Sequence, residues 1–251
     1  MALFVDPERK KQEENFDYTS SLCLEFQEST TSHKLTARSW KDYSLKEYCT
    51  SYICSNYDYA GAKDAREIYS DYDSQTSEEF WGKLYLSLYE QNKQKIGGLL
   101  DSLWTIKEVN NLSQFEFANA IVTFVQDIPY AYILDKERCE DQEEIYGNCV
   151  TDIKYGILSP VEFLYTLNGD CDTRTVLLYT LFRELGYEPK IANSDAYAHS
   201  ILLLNIPSGG DDYIYDRSRK FFFWETTAPN WPSGTLPPGT RDLDKWTVVL
   251  N

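Results

Sequence analysis

The sequence predicts an α+β protein in which helices pack on an antiparallel sheet. Three observations predict it. Apolar residues recur at helical spacing through Phe80, Leu84 and Leu88 and again through Ile96, Leu99, Leu100 and Leu103. Two further helical stretches follow, one entered at Ser159-Pro160-Val161-Glu162 and one running from Val176 to Leu185. Residues 189–226 then read as short apolar strands, with a turn at Ser208-Gly209-Gly210-Asp211-Asp212.

The elements are justified in chain order. Residues 1–18 are charged and read as a frayed start. Leu22-Cys23-Leu24-Glu25-Phe26 alternates like a strand. Trp40 to Tyr43 and Tyr48 to Cys54 read as a hairpin turning near Ser44-Leu45-Lys46. These segments define an N-terminal extension, 1–75, as a small β-rich appendage that also holds a helix from Ala60 to Tyr69. The second unit, 76–251, contains a helical segment interrupted at Gly97-Gly98 and then the core. Ser113-Gln114-Phe115-Glu116 is a capping box that opens a helix ending at Gln126. An acidic loop covers about 135–155. The core reads as helix, helix, strand 189–194, strand 198–206, strand 213–216 and strand 220–226. The remainder, rich in Pro and Gly, is a loop over the site.

The chemistry-bearing residues lie in this core. Cys171 stands in Gly169-Asp170-Cys171-Asp172, directly before the Val176–Leu185 stretch. Gly169 is suited to end one helix and Asp170 to cap the next. Gly186 is the expected stop. A helix N-terminus offers unpaired N–H groups and a positive dipole end, which favour a thiolate and hold a developing oxyanion. The other reading of Cys171 is an inert buried thiol. One of the chain's two histidines, His199, lies 28 positions downstream in a strand, and Glu225 lies 26 beyond it at the end of the next apolar run. Nucleophile, base and orienting carboxylate are the parts of a covalent acyl-transfer site. Antiparallel neighbours would put His199 and Glu225 on one face, toward the helix. Gln126 is either an oxyanion donor or a helix-terminal surface residue. Tyr130, Tyr197, Trp224 and Trp231 line a cleft or belong to the core.

Gly169-Asp170-Cys171-Asp172, Ala198-His199-Ser200, the run Phe223-Trp224-Glu225-Thr226-Thr227-Ala228-Pro229, and Ile128-Pro129-Tyr130 with Ser159-Pro160-Val161-Glu162 resemble the bacterial and archaeal branch of the transglutaminase-like superfamily. The resemblance covers roughly residues 112–240. It implies a papain-like core, a Cys171-His199-Glu225 triad and acyl chemistry on an amide, with a protein or peptide as substrate and no cofactor. Many members of that superfamily have Asp where this chain has Glu225. Some members are catalytically dead, so a non-catalytic peptide- or glycan-binding module is the competing expectation.

Composition bounds the rest. A hydrophobic content of 42% and an aromatic content of 15% suffice for a sizeable core. The formal charge of −16 argues against nucleic-acid binding, which needs clustered Lys and Arg. No stretch has the apolar length of a membrane span. The N-terminus is charged too early for a signal peptide, although a trimmed leader would leave the same start, so an extracytoplasmic location stays open. Of the six cysteines, Cys49 with Cys54 and Cys139 with Cys149 are either two local disulfides or four thiols. Neither pair has histidines at metal-site spacing, so no metal is expected.

Overall fold

The computed structural model describes residues 24–141 and 147–251. The frayed start expected for 1–18 and the Leu22-Cys23 part of the first predicted strand lie outside the described residues. The architecture is mixed α+β, with six α-helices among the described residues.

The chain opens with strands β1 (Phe26–Ser29), β2 (His33–Lys41) and β3 (Glu47–Ser55), which form an antiparallel sheet in that order. The β2–β3 turn is held by Asp42, whose Oδ1 accepts from the backbone N–H groups of Ser44 and Lys46. Helix α1 (Asn56–Ile68) follows, capped by the Ser55 hydroxyl. The strands are not an appendage. Trp40, Tyr48 and Tyr52 lie in one apolar core with Leu103, Phe117 and Phe124, and the Trp40 ring sits edge-on to Phe124 at 5.0 Å. The sequence could not show this, because alternation reports which residues are buried but not what buries them.

Helices α2 (Ser77–Asn92), α3 (Gly97–Val109) and α4 (Gln114–Gln126) come next. Gly97-Gly98 opens α3. The capping box at Ser113 and Glu116 forms as expected. Two three-residue strands, β4 (Ala131–Ile133) just before the acidic loop and β5 (Asn148–Val150) within it, pair in parallel. Such short strands carry no alternation long enough to detect. A disulfide, Cys139–Cys149, closes this loop with a Cα–Cα distance of 6.0 Å. The Cys49–Cys54 alternative does not occur: Cys49 is disulfide-bonded, whereas Cys54 is a buried free thiol. Both sit on β3 five residues apart. That separation puts them on opposite faces and about 16 Å apart along a strand, far beyond a disulfide's reach.

Helix α5 (Pro160–Thr166) has its own capping box, Ser159 with Glu162. It is stopped by Leu167 in the left-handed conformation (φ 56°), not by Gly169. Helix α6 (Cys171–Glu184) then packs on a five-stranded antiparallel sheet formed by β6 (Pro189–Ser194), β7 (His199–Leu204), β8 (Tyr213–Asp216), β9 (Arg219–Trp224) and β10 (Thr247–Leu250). The strand order is β10-β6-β7-β9-β8. The C-terminal segment is therefore more than a loop. It returns as an edge strand against β6 and rests on α2. Leu202, Leu204, Phe222 and Trp224 share a core cluster with Leu177, Leu178 and Leu181 of α6. The alternate residues Ile201, Leu203, Phe221 and Phe223 pack with Leu236 and Trp246 on the other face. No helix among the described residues is long and apolar enough to cross a membrane.

Candidate active site

Cys171 is the first residue of α6, and Asp170 caps the helix by accepting from the Thr173 backbone N–H at 3.0 Å. The N-terminal part of α6 is tied to the end of the sheet. The Thr175 hydroxyl donates to the Ser200 carbonyl at 3.3 Å and lies 3.3 Å from the Thr226 hydroxyl. Ser200 and Thr226 directly follow His199 and Glu225. The three candidate residues are therefore gathered where β7 begins, β9 ends and α6 starts.

His199 and Glu225 are paired, with Nε2 3.1 Å from Oε2. The other carboxylate oxygen, Oε1, accepts from the backbone N–H groups of Thr226 and Thr227, both at 2.9 Å, and from the Thr227 hydroxyl at 2.6 Å. Burial alone would raise the pKa of this carboxyl. The hydrogen bond and charge of His199, with the Thr227 hydroxyl and amide, outweigh burial and hold Glu225 at about 2. Trp246 sets its ring against His199 at 5.8 Å. Ala198, just before His199, holds a left-handed φ of 46°, a strained position of the kind that accompanies functional side chains. His199 and Glu225 share a face, as antiparallel register requires. Their strand neighbours on that face pack on Leu236 and Trp246 rather than on α6.

Cys171 is buried (7% exposed), and its Sγ donates to Asp172 Oδ2 at 3.6 Å. No hydrogen bond joins Cys171 to His199 among the described residues. Burial pushes the thiol pKa well up, the Asp172 and Asp170 carboxylates push it further, and the Ser200 backbone N–H pulls the other way. The helix dipole expected to lower it is thus outweighed in the resting site. Asp172 is itself held by the Tyr85 hydroxyl on Oδ1, and Tyr85 accepts from Asn193 Nδ2 at 3.0 Å. Burial and its neighbour Asp172 raise the pKa of Asp170, and burial raises that of Asp172. A cavity of about 460 Å³ opens against these two carboxylates.

Gln126 is neither an oxyanion donor nor a surface residue. It is buried, and its amide nitrogen donates to the carbonyls of Glu225 (2.7 Å) and Trp231 (3.3 Å). Both amide hydrogens are thereby used. Its carbonyl accepts from the Tyr43 hydroxyl at 3.1 Å. Gln126 thus ties the N-terminal hairpin to the segment after β9. Trp224 is a core residue with no exposure, buried on the α6 face of the sheet beside Phe115. Tyr197 packs on Trp246, and Trp231 contributes its backbone carbonyl to the Gln126 tie. Tyr130 does stand at the site: its hydroxyl faces the Cys171 backbone N–H, and its ring lies 5.4 Å from the Arg174 guanidinium. Arg174 is fully buried and donates to the carbonyls of Gly169, Val125 and Ile128, locking α4 to α6.

Sequence reasoning missed Tyr85, Trp246 and the role of Asp172. Tyr85 and Trp246 arrive from distant elements with no local motif. Asp172 had a visible signal, since a carboxylate adjoining a nucleophile must affect its charge.

Among the described residues, no group of three or more His, Cys, Asp and Glu side chains is placed to hold a metal ion. Compared with known proteins, the chain matches no family model, no curated protein and no solved structure.

Proposed function

We infer that this protein is a cysteine-dependent acyl-transfer enzyme acting on an amide or peptide, on a papain-like core of the transglutaminase-like kind. The observation that carries the reading is the half-buried His199 paired with the buried Glu225, whose carboxylate is ionised and fully bonded, at the sheet end where α6 presents Cys171. In the reaction, the thiol proton passes to His199, Sγ attacks the carbonyl carbon, and the carbonyl oxygen becomes the oxyanion. In this reading the Cys171 backbone N–H, which the Tyr130 hydroxyl faces in the empty site, turns to that oxygen instead. His199 then gives its proton to the leaving amine, and water or an amine releases the acyl group. Glu225 orients the ring and stabilises the imidazolium. The hydrogen bond from Sγ to Asp172 describes the resting state, and catalytic hydrogen bonds often tighten only with substrate bound.

A second reading, a non-catalytic peptide- or glycan-binding module, draws on the same Sγ–Asp172 hydrogen bond. The deciding experiment is activity profiling on peptides and glutamine amides, with Cys171→Ala as control. Turnover present in the parent and absent in Cys171→Ala supports the enzyme. No turnover on any amide, together with retained peptide or glycan binding, supports the module.

A further inference from the structure

We propose that the cavity beside Cys171 is a subsite for a cationic side chain, lysine or arginine, adjacent to the amide under attack, and that its occupation frees the thiol. The proposal rests on the acyl-transfer reading and deepens it. The cavity, about 460 Å³, has aromatic walls from Trp81 and Tyr155 and carboxylates from Asp135, Glu137, Asp170 and Asp172. Its volume accommodates an extended side chain. None of the four carboxylates is in an ion pair among the described residues. They do not converge as metal ligands. A cation threaded between aromatic rings, with carboxylates along the walls, matches this lining better than a compact ion does. The wall that carries Asp135 and Glu137 directly follows β4, whose backbone is paired with β5.

The coupling to the thiol is direct. Asp172 lines the cavity, and its Oδ2 accepts the Cys171 S–H at 3.6 Å, while Tyr85 holds Oδ1. In the empty site a carboxylate beside sulfur disfavours thiolate. A cation paired with Asp172 and Asp170 cancels that repulsion and competes for the oxygen that holds the thiol proton. The S–H bond then breaks toward His199, where the new N–H bond forms, and the electron pair remains on sulfur. The cavity does not feed an attacking amine. An amine held among four carboxylates stays an ammonium and has no free electron pair. The subsite therefore selects the acyl donor and favours release to water.

The test uses n-butylammonium chloride as the probe on the full chain, with sodium chloride at equal ionic strength and 1-butanol as controls. Calorimetry reads binding, and alkylation of Cys171 by iodoacetamide at pH 7, mapped by mass spectrometry, reads the thiol. The proposal expects saturable binding and an alkylation rate raised about tenfold or more, the effect of one unit in thiol pKa on the thiolate population. Both should share one midpoint. Glu137→Gln should weaken that midpoint and leave the unstimulated rate at the parent's value. Asp172→Asn should raise the unstimulated rate and abolish the stimulation. Absence of binding, equal stimulation by sodium or butanol, or binding with no change in rate would overturn it. A cation response without any acyl transfer would leave the subsite standing and defeat the enzyme reading. Acyl transfer indifferent to the cation would do the reverse.

Discussion

Glu225 carries its charge where burial opposes it, and three donors besides His199 keep it ionised. Its pKa is held at about 2, below the ordinary 4.5, so the folded state gains stability from it. That gain is fully present above the ordinary value and is lost as pH falls from there toward 2. A melting-temperature series across this window should fall more steeply for the parent than for Glu225→Gln, which has no proton to take up; parallel curves would show that the carboxyl is not depressed. At neutral pH Glu225→Gln keeps the size but not the charge, so amide turnover should drop by about 10²–10⁴-fold, as loss of a triad acid does. The pairing of His199 with Glu225 and the position of Cys171 at a helix start were legible in the sequence, because each sits at the edge of an apolar run where a polar side chain needs a reason. Gln126 was misread, and Trp224 was left open between cleft and core, because their partners, Tyr43 with the Glu225 and Trp231 carbonyls in one case and Phe115 in the other, come from segments that only the tertiary fold brings near.

At the scale of elements, the segments following the acidic loop were the most readable. Strands β6 and β8 match the expected bounds, since their ends coincide with Pro189 and with the turn at 208–212. Strand β10 was missed because four residues after a Pro- and Gly-rich stretch carry no period of their own, and tertiary contact makes them a strand. That contact is tight. A Cβ on Gly82 of α2 would lie 2.2 Å from the Val249 carbonyl oxygen. Gly82→Ala must therefore push β10 away from α2, although alanine is the better helix former. The expected cost is about 1–3 kcal/mol by chemical denaturation, typical of overpacking. A stabilised Gly82→Ala would mean that β10 does not rest there. The same displacement would loosen Trp246, one residue before β10, from His199.

For the molecule as a whole, the first hairpin and the helices share one core, so the chain should unfold as a unit. Trp40 has 2% exposure, and its Nε1 donates to the Ala120 carbonyl at 2.8 Å. Trp40→Ala should destabilise the entire transition by about 3–5 kcal/mol, monitored by both near- and far-ultraviolet circular dichroism. An early separate transition of the N-terminal strands would instead mark them as an independent appendage. This integration reaches the site, because Tyr43 in the hairpin turn bonds to Gln126, and Gln126 bonds to the Glu225 carbonyl. The central claim is that this assembled end of the sheet makes Cys171 a nucleophile with His199 as its base. It is tested most directly by rapid mixing with an activated ester, p-nitrophenyl acetate, which makes no demand on substrate identity. The account predicts a burst of p-nitrophenol equal to the enzyme concentration and an acetyl group mapped to Cys171. Cys171→Ala should abolish the burst, and His199→Ala should slow it at least about 100-fold. An acetyl group on another residue, or a burst rate unchanged in His199→Ala, would contradict it.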